Sequence, residues 1–154
     1  MRRNDLRRVK VSLACMPGCE DLGVPQYGSD GASGVDLRAA VREVMALNPG
    51  SIHAVPTGLC LAIPTGWEAQ VRSRSGLALK GVIVANSPGT IDSDYRGEIA
   101  VVLANISGSP FLLHRGCRIA QMVFSTVSRV DWKLVSRLPG TKRGARGFGS
   151  TGTS

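Results

Sequence analysis

Apolar and polar residues alternate over short stretches of this chain, whereas apolar residues at helical spacing never extend over a useful length. Residues 9–13 and 67–72 carry apolar side chains at odd positions only, which is typical of a β-strand with one buried face. Proline and glycine separate further short apolar runs at intervals of about 8–12 residues. These runs are residues 59–63, 82–85, 99–103, 111–113 and 118–127. The pattern predicts an all-β fold, a single-domain jelly-roll-like sandwich or barrel, with one helical turn at residues 77–80.

The net charge of +8 lies at the two ends of the chain. Residues 1–10 hold five basic side chains against one acidic side chain, and residues 137–154 hold four basic side chains and no acid. The rest of the chain carries ten basic and ten acidic side chains, so the body has no basic excess that would favour nucleic acid. A basic C-terminal segment suits a small polyphosphate equally well.

The sequence predicts a cytoplasmic protein that makes no contact with membranes. No apolar stretch reaches the length of about 18 residues that a membrane-spanning helix requires. The basic residues 1–10 are not followed by the apolar core of a secretory signal. The cysteines lack the paired spacing of a zinc site, so free thiols are preferred over two disulfides. They are Cys15, Cys19, Cys60 and Cys117.

Composition divides the chain into three segments. We expect a flexible basic N-terminus at residues 1–8, a β domain at residues 9–138 and a segment rich in glycine and arginine at residues 139–154. The last segment has one large apolar residue, Phe148, and cannot build a core of its own. On composition alone it is either an inert tail or a lid, because glycine N–H groups and guanidinium groups both suit phosphate oxygens.

Residues 86–99 join two apolar runs through a loop with three acidic residues, one tyrosine and one arginine. We expect a hairpin whose inner edge presents backbone N–H and C=O groups, which can bind a pyrimidine ring as one strand binds another. Tyr95 offers a flat apolar face, and the Asp92 carboxylate can accept a proton from water. The loop by itself leaves open that Asp92 and Asp94 are turn residues without chemistry.

Three other segments carry polar side chains that suit phosphate or need a charged partner. Arg74, Ser75 and Gly76 precede the predicted helical turn, where a guanidinium, a hydroxyl and a backbone N–H form a seat for phosphate. Asp36 lies between apolar strand residues, so its carboxylate needs a cation such as Arg74. Gln121 lies among apolar residues of a predicted strand, where its amide needs a partner.

Together these segments resemble, in order and over nearly the whole chain, the five motifs of the homotrimeric dUTPase family. The matching segments are residues 34–37 (GVDL), 74–78 (RSGLA), 86–97 (NSPGTIDSDYRG), 116–121 (GCRIAQ) and 143–152 (RGARGFGSTG). The resemblance implies a homotrimer with active sites shared between subunits and a C-terminal lid. It also implies hydrolysis of dUTP to dUMP and pyrophosphate, which keeps uracil out of DNA and supplies dUMP for thymidylate synthesis.

The resemblance assigns roles to individual residues. Asp92 matches the base that activates the attacking water, Tyr95 matches the aromatic residue that leaves no room for a 2′-hydroxyl, and Asp36 is expected to hold Arg74. The implied substrate-binding residues are Arg74, Ser75, Gly76 and Gln121 for the phosphates, Asn86, Thr90, Ile91 and Ala100 for uracil, and Arg143, Phe148, Gly149 and Ser150 in the tail. Mg²⁺ is the expected cofactor, held chiefly by the phosphates of dUTP and by water.

Two other functions are compatible with parts of this pattern. Deoxycytidine triphosphate deaminases resemble dUTPases in fold and in some motifs, but deamination requires a proton-shuttling glutamate in the strand after the loop. Residues 99–105 contain no acid. A catalytically inactive jelly-roll could bind partners through its basic ends, although the neutral body and the five motifs do not favour this interpretation.

Overall fold

The computed structural model describes residues 8–147, which form ten β-strands, one helical turn and one 3₁₀ turn. The strands are β1 (Ser12–Cys15), β2 (Val35–Arg38), β3 (Met45–Leu47), β4 (Ile52–Ala62), β5 (Trp67–Arg72), β6 (Val82–Val84), β7 (Gly89–Ile91), β8 (Glu98–Asn105), β9 (Phe111–Leu113) and β10 (Arg118–Thr126). The helical turn α1 (Ser75–Ala78) follows β5, and the 3₁₀ turn (Glu20–Leu22) follows β1.

Two four-stranded antiparallel sheets pack face to face. The first sheet has the strand order β1-β4-β8-β6 and the second has the order β2-β10-β5-β7, while β3 and β9 form a separate pair. Apolar side chains from both sheets and from the β3–β9 pair form the core, and the largest fully buried ones are Leu37, Leu47, Leu103, Leu113 and Ile119. The predicted all-β sandwich is therefore confirmed.

The alternation at residues 67–72 is confirmed as strand β5, in which Ala69 and Val71 are buried. The helical turn begins two residues earlier than predicted, at Ser75, because the N–H groups of Leu77 and Ala78 both donate to the carbonyl oxygen of Arg74. Arg74 thus ends the extended chain after β5 and begins the turn.

The expectation of a simple hairpin over residues 86–99 is wrong. The strands on either side of the loop, β7 and β8, belong to different sheets. Thr90 of β7 pairs with Gln70 of β5, whereas Ala100 of β8 pairs with Pro56 of β4. Residues 92–97 therefore connect the two sheets at one corner of the sandwich, and we call them the corner turn.

The two sheets differ in the side chains that they turn away from the core. Side chains of a strand alternate between its faces, and Val55, Val101 and Leu103 point inwards, so their neighbours point outwards. In the first sheet the outward side chains form an apolar outer face of Ile52, Ala54, Pro56, Ile83, Ala100 and Val102. In the second sheet they form a polar outer face of Asp36, Arg38, Glu68, Gln70, Arg72 and Gln121.

The chain leaves the sandwich after β10 as an arm, residues 127–138, that forms neither helix nor strand. Its apolar side chains are exposed, with 91% of the surface of Trp132 and 99% of that of Leu134 accessible to solvent. Val130 and Leu138 are also exposed. The arm therefore carries apolar surface that the described part of the chain leaves exposed. Within residues 8–147 no helix is long and apolar enough to cross a membrane.

Candidate active site

The corner turn is anchored at both ends by buried isoleucines, Ile91 and Ile99, while its side chains face solvent. The N–H of Tyr95 donates to the carbonyl oxygen of Asp92 (3.2 Å), which closes the turn. The guanidinium of Arg96 folds back and donates to the carbonyl oxygens of Ser93 (2.7 Å) and Tyr95 (2.8 Å). The turn is thus held by one backbone bond and by the Arg96 side chain, while Asp92 stays exposed.

Asn86 and Tyr95 stand on either side of Asp92 along the chain. The Tyr95 hydroxyl donates to the carbonyl oxygen of Glu98 (2.9 Å), and 47% of the tyrosine surface remains accessible. Asn86 is exposed and its amide lies against Gly89. A flat ring and an amide therefore accompany the carboxylate, and both are open to a ligand.

The strands that flank the corner turn have backbone edges that do not pair with another described strand. β7 is the last strand of its sheet, so within residues 8–147 only one of its edges is paired. β8 pairs with β6 only from Leu103 to Asn105, so its first half is paired on the β4 side alone. Thr90, Ile91 and Ala100 lie on these segments. Their free edges supply the backbone donors and acceptors that the sequence led us to expect.

A carboxylate and two arginines form a cluster on the polar outer face. The Arg74 Nε donates to Asp36 Oδ1 (2.9 Å), so the predicted contact between Arg74 and Asp36 is confirmed. Asp36 Oδ2 accepts a second bond, from Arg118 Nη1 (3.2 Å), and Arg74 Nη1 donates to the Arg118 carbonyl oxygen (3.1 Å). The cluster has two cations for one carboxylate and keeps a net positive charge.

Sequence reasoning did not single out Arg118. Its partner Asp36 has both carboxylate oxygens engaged, so Arg118 completes the same cluster as Arg74. A half-buried carboxylate can accept more than one cationic donor, which is the sequence feature that could have indicated a second arginine. Strand alternation would place Arg118 and Gln121, three residues apart, on opposite faces. A register shift between Arg118 and Ala120 instead turns both to the same face, and the sequence does not show this shift.

The remaining predicted phosphate residues lie near this cluster in the fold. Ser75 and Gly76 begin α1 and are exposed directly after Arg74. The Ser73 hydroxyl accepts the N–H of Val84 (2.8 Å), which ties the start of the turn to β6. Gln121 lies opposite Asp36 on β10 and is exposed, so water can satisfy its amide and no protein partner is required.

The single chain does not join the corner turn to the arginine cluster. Within residues 8–147 no hydrogen bond or ion pair links Asp92 or Tyr95 to Arg74 or Gln121. A cavity of about 260 Å³ lies beside Asp36 and is lined by residues 22–28 and Thr57. Of the arginine cluster, it is lined by Asp36 and Arg118 but not by Arg74. The predicted site residues thus form two separate groups.

The described part of the tail bears Arg143, whose Nε donates to the carbonyl oxygen of Arg146 (2.9 Å), and both arginines are exposed. The predicted tail residues Phe148, Gly149 and Ser150 lie outside the described residues. Among the described residues, no three His, Cys, Asp or Glu side chains are placed to hold a metal ion.

The fold and these two groups define a β-sandwich protein with a carboxylate on an exposed corner and a cationic cluster on one outer face. The profile of the dUTPase family matches residues 20–152. The chain is 51% identical over 144 residues to the deoxyuridine 5′-triphosphate nucleotidohydrolase of Neorickettsia sennetsu, covering 93% of this chain and 97% of the relative. It is 49% identical over 146 residues to that of Anaplasma marginale, covering 94% and 99%. The chain belongs to the dUTPase family.

Solved structures agree on the fold. The dUTPase of Staphylococcus bacteriophage 80alpha with dUpNHpp superimposes with a TM-score of 0.79 at 22% identity, covering 93% of this chain and 98% of that one. A mutant dUTPase from phage phi11 of S. aureus, described with a structural Mg(II) ion, has a TM-score of 0.73 at 19% identity, covering 84% and 98%. Similarity at these identities establishes the architecture alone.

Proposed function

We propose that this protein hydrolyses dUTP to dUMP and pyrophosphate, with Asp92 as the base that activates the attacking water. Membership of the dUTPase family and the names of relatives at about half identity support the substrate and the reaction. The observation that carries the residue assignment is the position of Asp92. Its carboxylate is exposed immediately after the edge strand β7 and three residues before an exposed tyrosine ring.

The proposed chemistry follows from what cleavage between the α- and β-phosphates requires. A water must lie in line with the leaving pyrophosphate, and a base must take its proton as the new P–O bond forms. Asp92 accepts that proton, the water oxygen attaches to the α-phosphorus, and pyrophosphate leaves with the electron pair of the broken bond. Because the corner turn is closed by one backbone bond and by the Arg96 side chain, the carboxylate is held without using its oxygens.

The cationic cluster neutralises part of the negative charge of the triphosphate. Guanidinium groups and backbone N–H groups stabilise phosphate oxygens, and fixed donors do so without reorganisation during the reaction. Asp36 and the Arg118 carbonyl oxygen fix the direction of the Arg74 guanidinium through bonds from Nε (2.9 Å) and Nη1 (3.1 Å), and Nη2 remains available for a ligand. The phosphate-binding residues that we propose are Arg74, Ser75, Gly76, Gln121 and, from the tail, Arg143.

The cationic cluster offers magnesium no free carboxylate. Both Asp36 oxygens accept bonds from arginines, so this carboxylate has no oxygen free of a cation to offer an ion. Mg²⁺ takes oxygen ligands and keeps several waters, and phosphate oxygens suit it well. We therefore propose that Mg²⁺ is held by the triphosphate and by water. When bound it neutralises negative charge on the phosphates.

The nucleoside end of dUTP is assigned to the corner turn and its flanking strands. We propose that Asn86 and the backbone of Thr90, Ile91 and Ala100 bind the uracil edge, since a free strand edge offers both donors and acceptors. Tyr95 packs against the deoxyribose and occupies the space of a 2′-hydroxyl. In the tail, Phe148 covers the uracil, and Gly149 and Ser150 contact the substrate.

A homotrimer with shared sites would bring the two groups together. The apolar outer face, on which 63% of the Ile52 surface is accessible, and the apolar arm after β10 are both left uncovered by residues 8–147 of one chain. A second and a third copy of the chain would supply that cover. We propose that one subunit supplies Asn86, Asp92 and Tyr95, a second supplies Arg74, Ser75 and Gln121, and a third supplies the tail with Arg143 and Phe148. The tail then acts as a lid.

The test of the catalytic assignment is Asp92→Asn, with Asp94→Asn as the matched control. Both aspartates are exposed in the same turn. The Asp92 variant keeps the shape of the side chain but loses the base, so its kcat should fall by about 10²–10⁴ while nucleotide still binds. The Asp94 variant should keep the kcat of the parent protein. Equal kcat values for the Asp92 variant and the parent would remove Asp92 from the mechanism.

Hydrolysis in ¹⁸O-labelled water tests the position of attack. Attack at the α-phosphorus places the label in dUMP, and the ³¹P spectrum of the products should show the isotope shift there. A label in pyrophosphate would contradict the proposed step. Consumption of dCTP with release of ammonia would instead indicate the deaminase reaction, which residues 99–105, without an acid, do not favour.

A further inference from the structure

Gly97, the last residue of the corner turn, lies directly against the ring of Tyr95. A Cβ atom added to Gly97 would stand 2.6 Å from Cζ of that ring and 3.0 Å from Cε2, and would also overlap the hydroxyl oxygen. Contacts under 3.0 Å are essentially never made by real Cβ atoms. The φ angle of Gly97 lies outside the left-handed region. The backbone therefore does not demand a glycine here, but any larger residue would displace the tyrosine ring from its present position.

A second contact fixes the same ring from its polar end. The Tyr95 hydroxyl donates to the carbonyl oxygen of Glu98 at 2.9 Å. Glu98 is itself held, because its Oε1 accepts the N–H of Gly58 at 2.7 Å and its backbone pairs with Cys60 of β4. The ring thus fills the space where a Cβ of residue 97 would lie, and its hydroxyl is held by a carbonyl oxygen that belongs to the first sheet.

We propose that Gly97 is a positioning residue for sugar selectivity, because the missing side chain lets the Tyr95 ring lie where it excludes a 2′-hydroxyl. The inference rests on the proposed function, in which Tyr95 packs against the deoxyribose. Gly97 has no side chain with which to touch the substrate and acts through Tyr95. Another glycine of this region shows a weaker form of the arrangement, since a Cβ at Gly89 would stand 3.1 Å from the amide nitrogen of Asn86.

The overlap between a Cβ at residue 97 and the Tyr95 ring indicates how far the ring would move and how much substrate binding would weaken. Relief of a 2.6 Å contact to an ordinary separation of 3.4–4 Å requires the ring to move by about 1 Å, and the Glu98 hydrogen bond cannot follow it unchanged. A misplacement of about 1 Å at a reacting or binding group can cost up to about 10²-fold. A contact of 3.1 Å at Gly89 requires only a few tenths of an ångström.

The experiment is Gly97→Ala, with Gly108→Ala as the matched control. A Cβ at Gly108 would meet nothing within 4 Å, and its φ is also outside the left-handed region. We expect the KM for dUTP to rise about 10-fold in Gly97→Ala and the ratio of kcat/KM for dUTP to that for UTP to fall about 10-fold, with a smaller change in kcat. Gly108→Ala should change none of these values. Unchanged KM and unchanged discrimination in Gly97→Ala would overturn the proposal.

A double-mutant cycle separates positioning from a general structural defect. If Gly97 acts through the ring, Gly97→Ala should change KM and discrimination by less than about twofold in a Tyr95→Ala background. If the alanine instead disturbs the whole turn, its effect should persist in that background. Persistence at full size would overturn the proposal.

A measurement without substrate keeps this inference distinct from the proposed function. The chain has two tyrosines, Tyr27 and Tyr95, so protein labelled with 3-fluorotyrosine should give two ¹⁹F resonances. Tyr95→Phe assigns one of them. Gly97→Ala should move the Tyr95 resonance and leave that of Tyr27 in place, and an unmoved Tyr95 resonance would refute the displacement of the ring. Absence of dUTP hydrolysis in the parent protein would instead refute the proposed function.

Discussion

The two outer faces of the sandwich share one core but have opposite chemistry. On the second sheet, outward side chains bond to one another along β5, where Arg72 donates to Gln70 (2.8 Å) and Gln70 donates to Glu68 (2.6 Å). On the first sheet, the outward positions of β4 and β8 from Ile52 to Pro56 and from Ala100 to Val102 are apolar throughout. Water can solvate the polar outer face, whereas the apolar outer face is stabilised only when something covers it.

The difference between the two outer faces indicates that one face suits phosphate binding and the other suits association with another protein surface. The polar outer face holds Asp36 between Arg74 and Arg118, a net positive cluster suited to phosphate. The apolar outer face carries the strand that follows the corner turn, so anything that covers it approaches Asp92 and Tyr95. If the cover is a second copy of this chain, association itself assembles the two groups of site residues. The predictions below test that separation of tasks.

The largest effect should come from a charge on the apolar outer face. Val102→Lys places an ammonium group where we propose that subunits meet, and burying an unpaired charge costs several kcal/mol per ion. We expect sedimentation velocity to show monomers. On the proposed sharing of sites a monomer lacks the second subunit's arginine cluster, so its kcat/KM should fall by at least about 10²-fold.

The matched control is Val123→Lys. Val123 is also a half-buried strand valine, but it lies on the outward side of the second sheet opposite Gln70. We expect this variant to remain a trimer with the activity of the parent protein. A trimeric, fully active Val102→Lys protein would mean that the apolar outer face is not an interface.

An intermediate effect should follow from loss of the shared carboxylate on the polar outer face. Asp36→Asn removes the charge that both Arg74 and Arg118 contact, so the Arg74 guanidinium loses its fixed direction. We expect the KM for dUTP to rise about 10-fold, because a charge-assisted bond contributes about 1.5–3 kcal/mol and part of it remains with an amide. Steady-state kinetics measure this, and sedimentation should still show trimers.

Asp30→Asn serves as the control for Asp36→Asn, since Asp30 is exposed in the loop before β2. Its KM should equal that of the parent protein. If Asp36→Asn also dissociated the trimer, the polar outer face would share in assembly and the separation of tasks between the two faces would be wrong.

The sequence predicted the positions of the strands better than it predicted which strands pair with each other. Alternation identified β5 because one of its faces is polar, but residues 99–103 form only an apolar run because β8 is apolar on both faces. A run of this kind predicts a strand without saying which sheet it joins. This is the reason that β7 and β8 were expected to pair with each other, when each in fact pairs with a strand far away in the chain.

The candidate site shows the same division. The contact between Asp36 and Arg74 was predictable because a half-buried carboxylate requires a cation. Arg118 was not, because the register shift that turns it outwards arises from pairing with β2. The space over Gly97 was also hidden, since it depends on where the Tyr95 ring lies and not on the glycine's own backbone angles. The proposed roles of the site residues remain predictions.

The smallest effect concerns a charged contact that belongs to neither outer face. Arg115, before β10, donates to both oxygens of Asp21 (2.6 and 3.0 Å) and to the carbonyl oxygen of Gly18 (2.7 Å), and so holds the 3₁₀ turn. The hydrogen bond from Arg115 lowers the pKa of the Asp21 carboxyl below its ordinary value. Asp21→Asn should therefore lower the urea midpoint slightly at pH 7, since 60% of the Asp21 side chain is exposed.

The pH dependence of that difference gives the prediction its sign. A carboxyl whose pKa is lower in the folded than in the unfolded state stabilises the fold above the unfolded value, about 4 for aspartate. This contribution is lost as the pH falls through the folded pKa. The difference in urea midpoint between Asp21→Asn and the parent protein should thus shrink from pH 7 to pH 3. Glu20→Gln, a substitution in the same turn, should show no difference of this kind that changes with pH. A difference that stayed the same from pH 7 to pH 3 would show that Asp21 acts through packing and not through its charge.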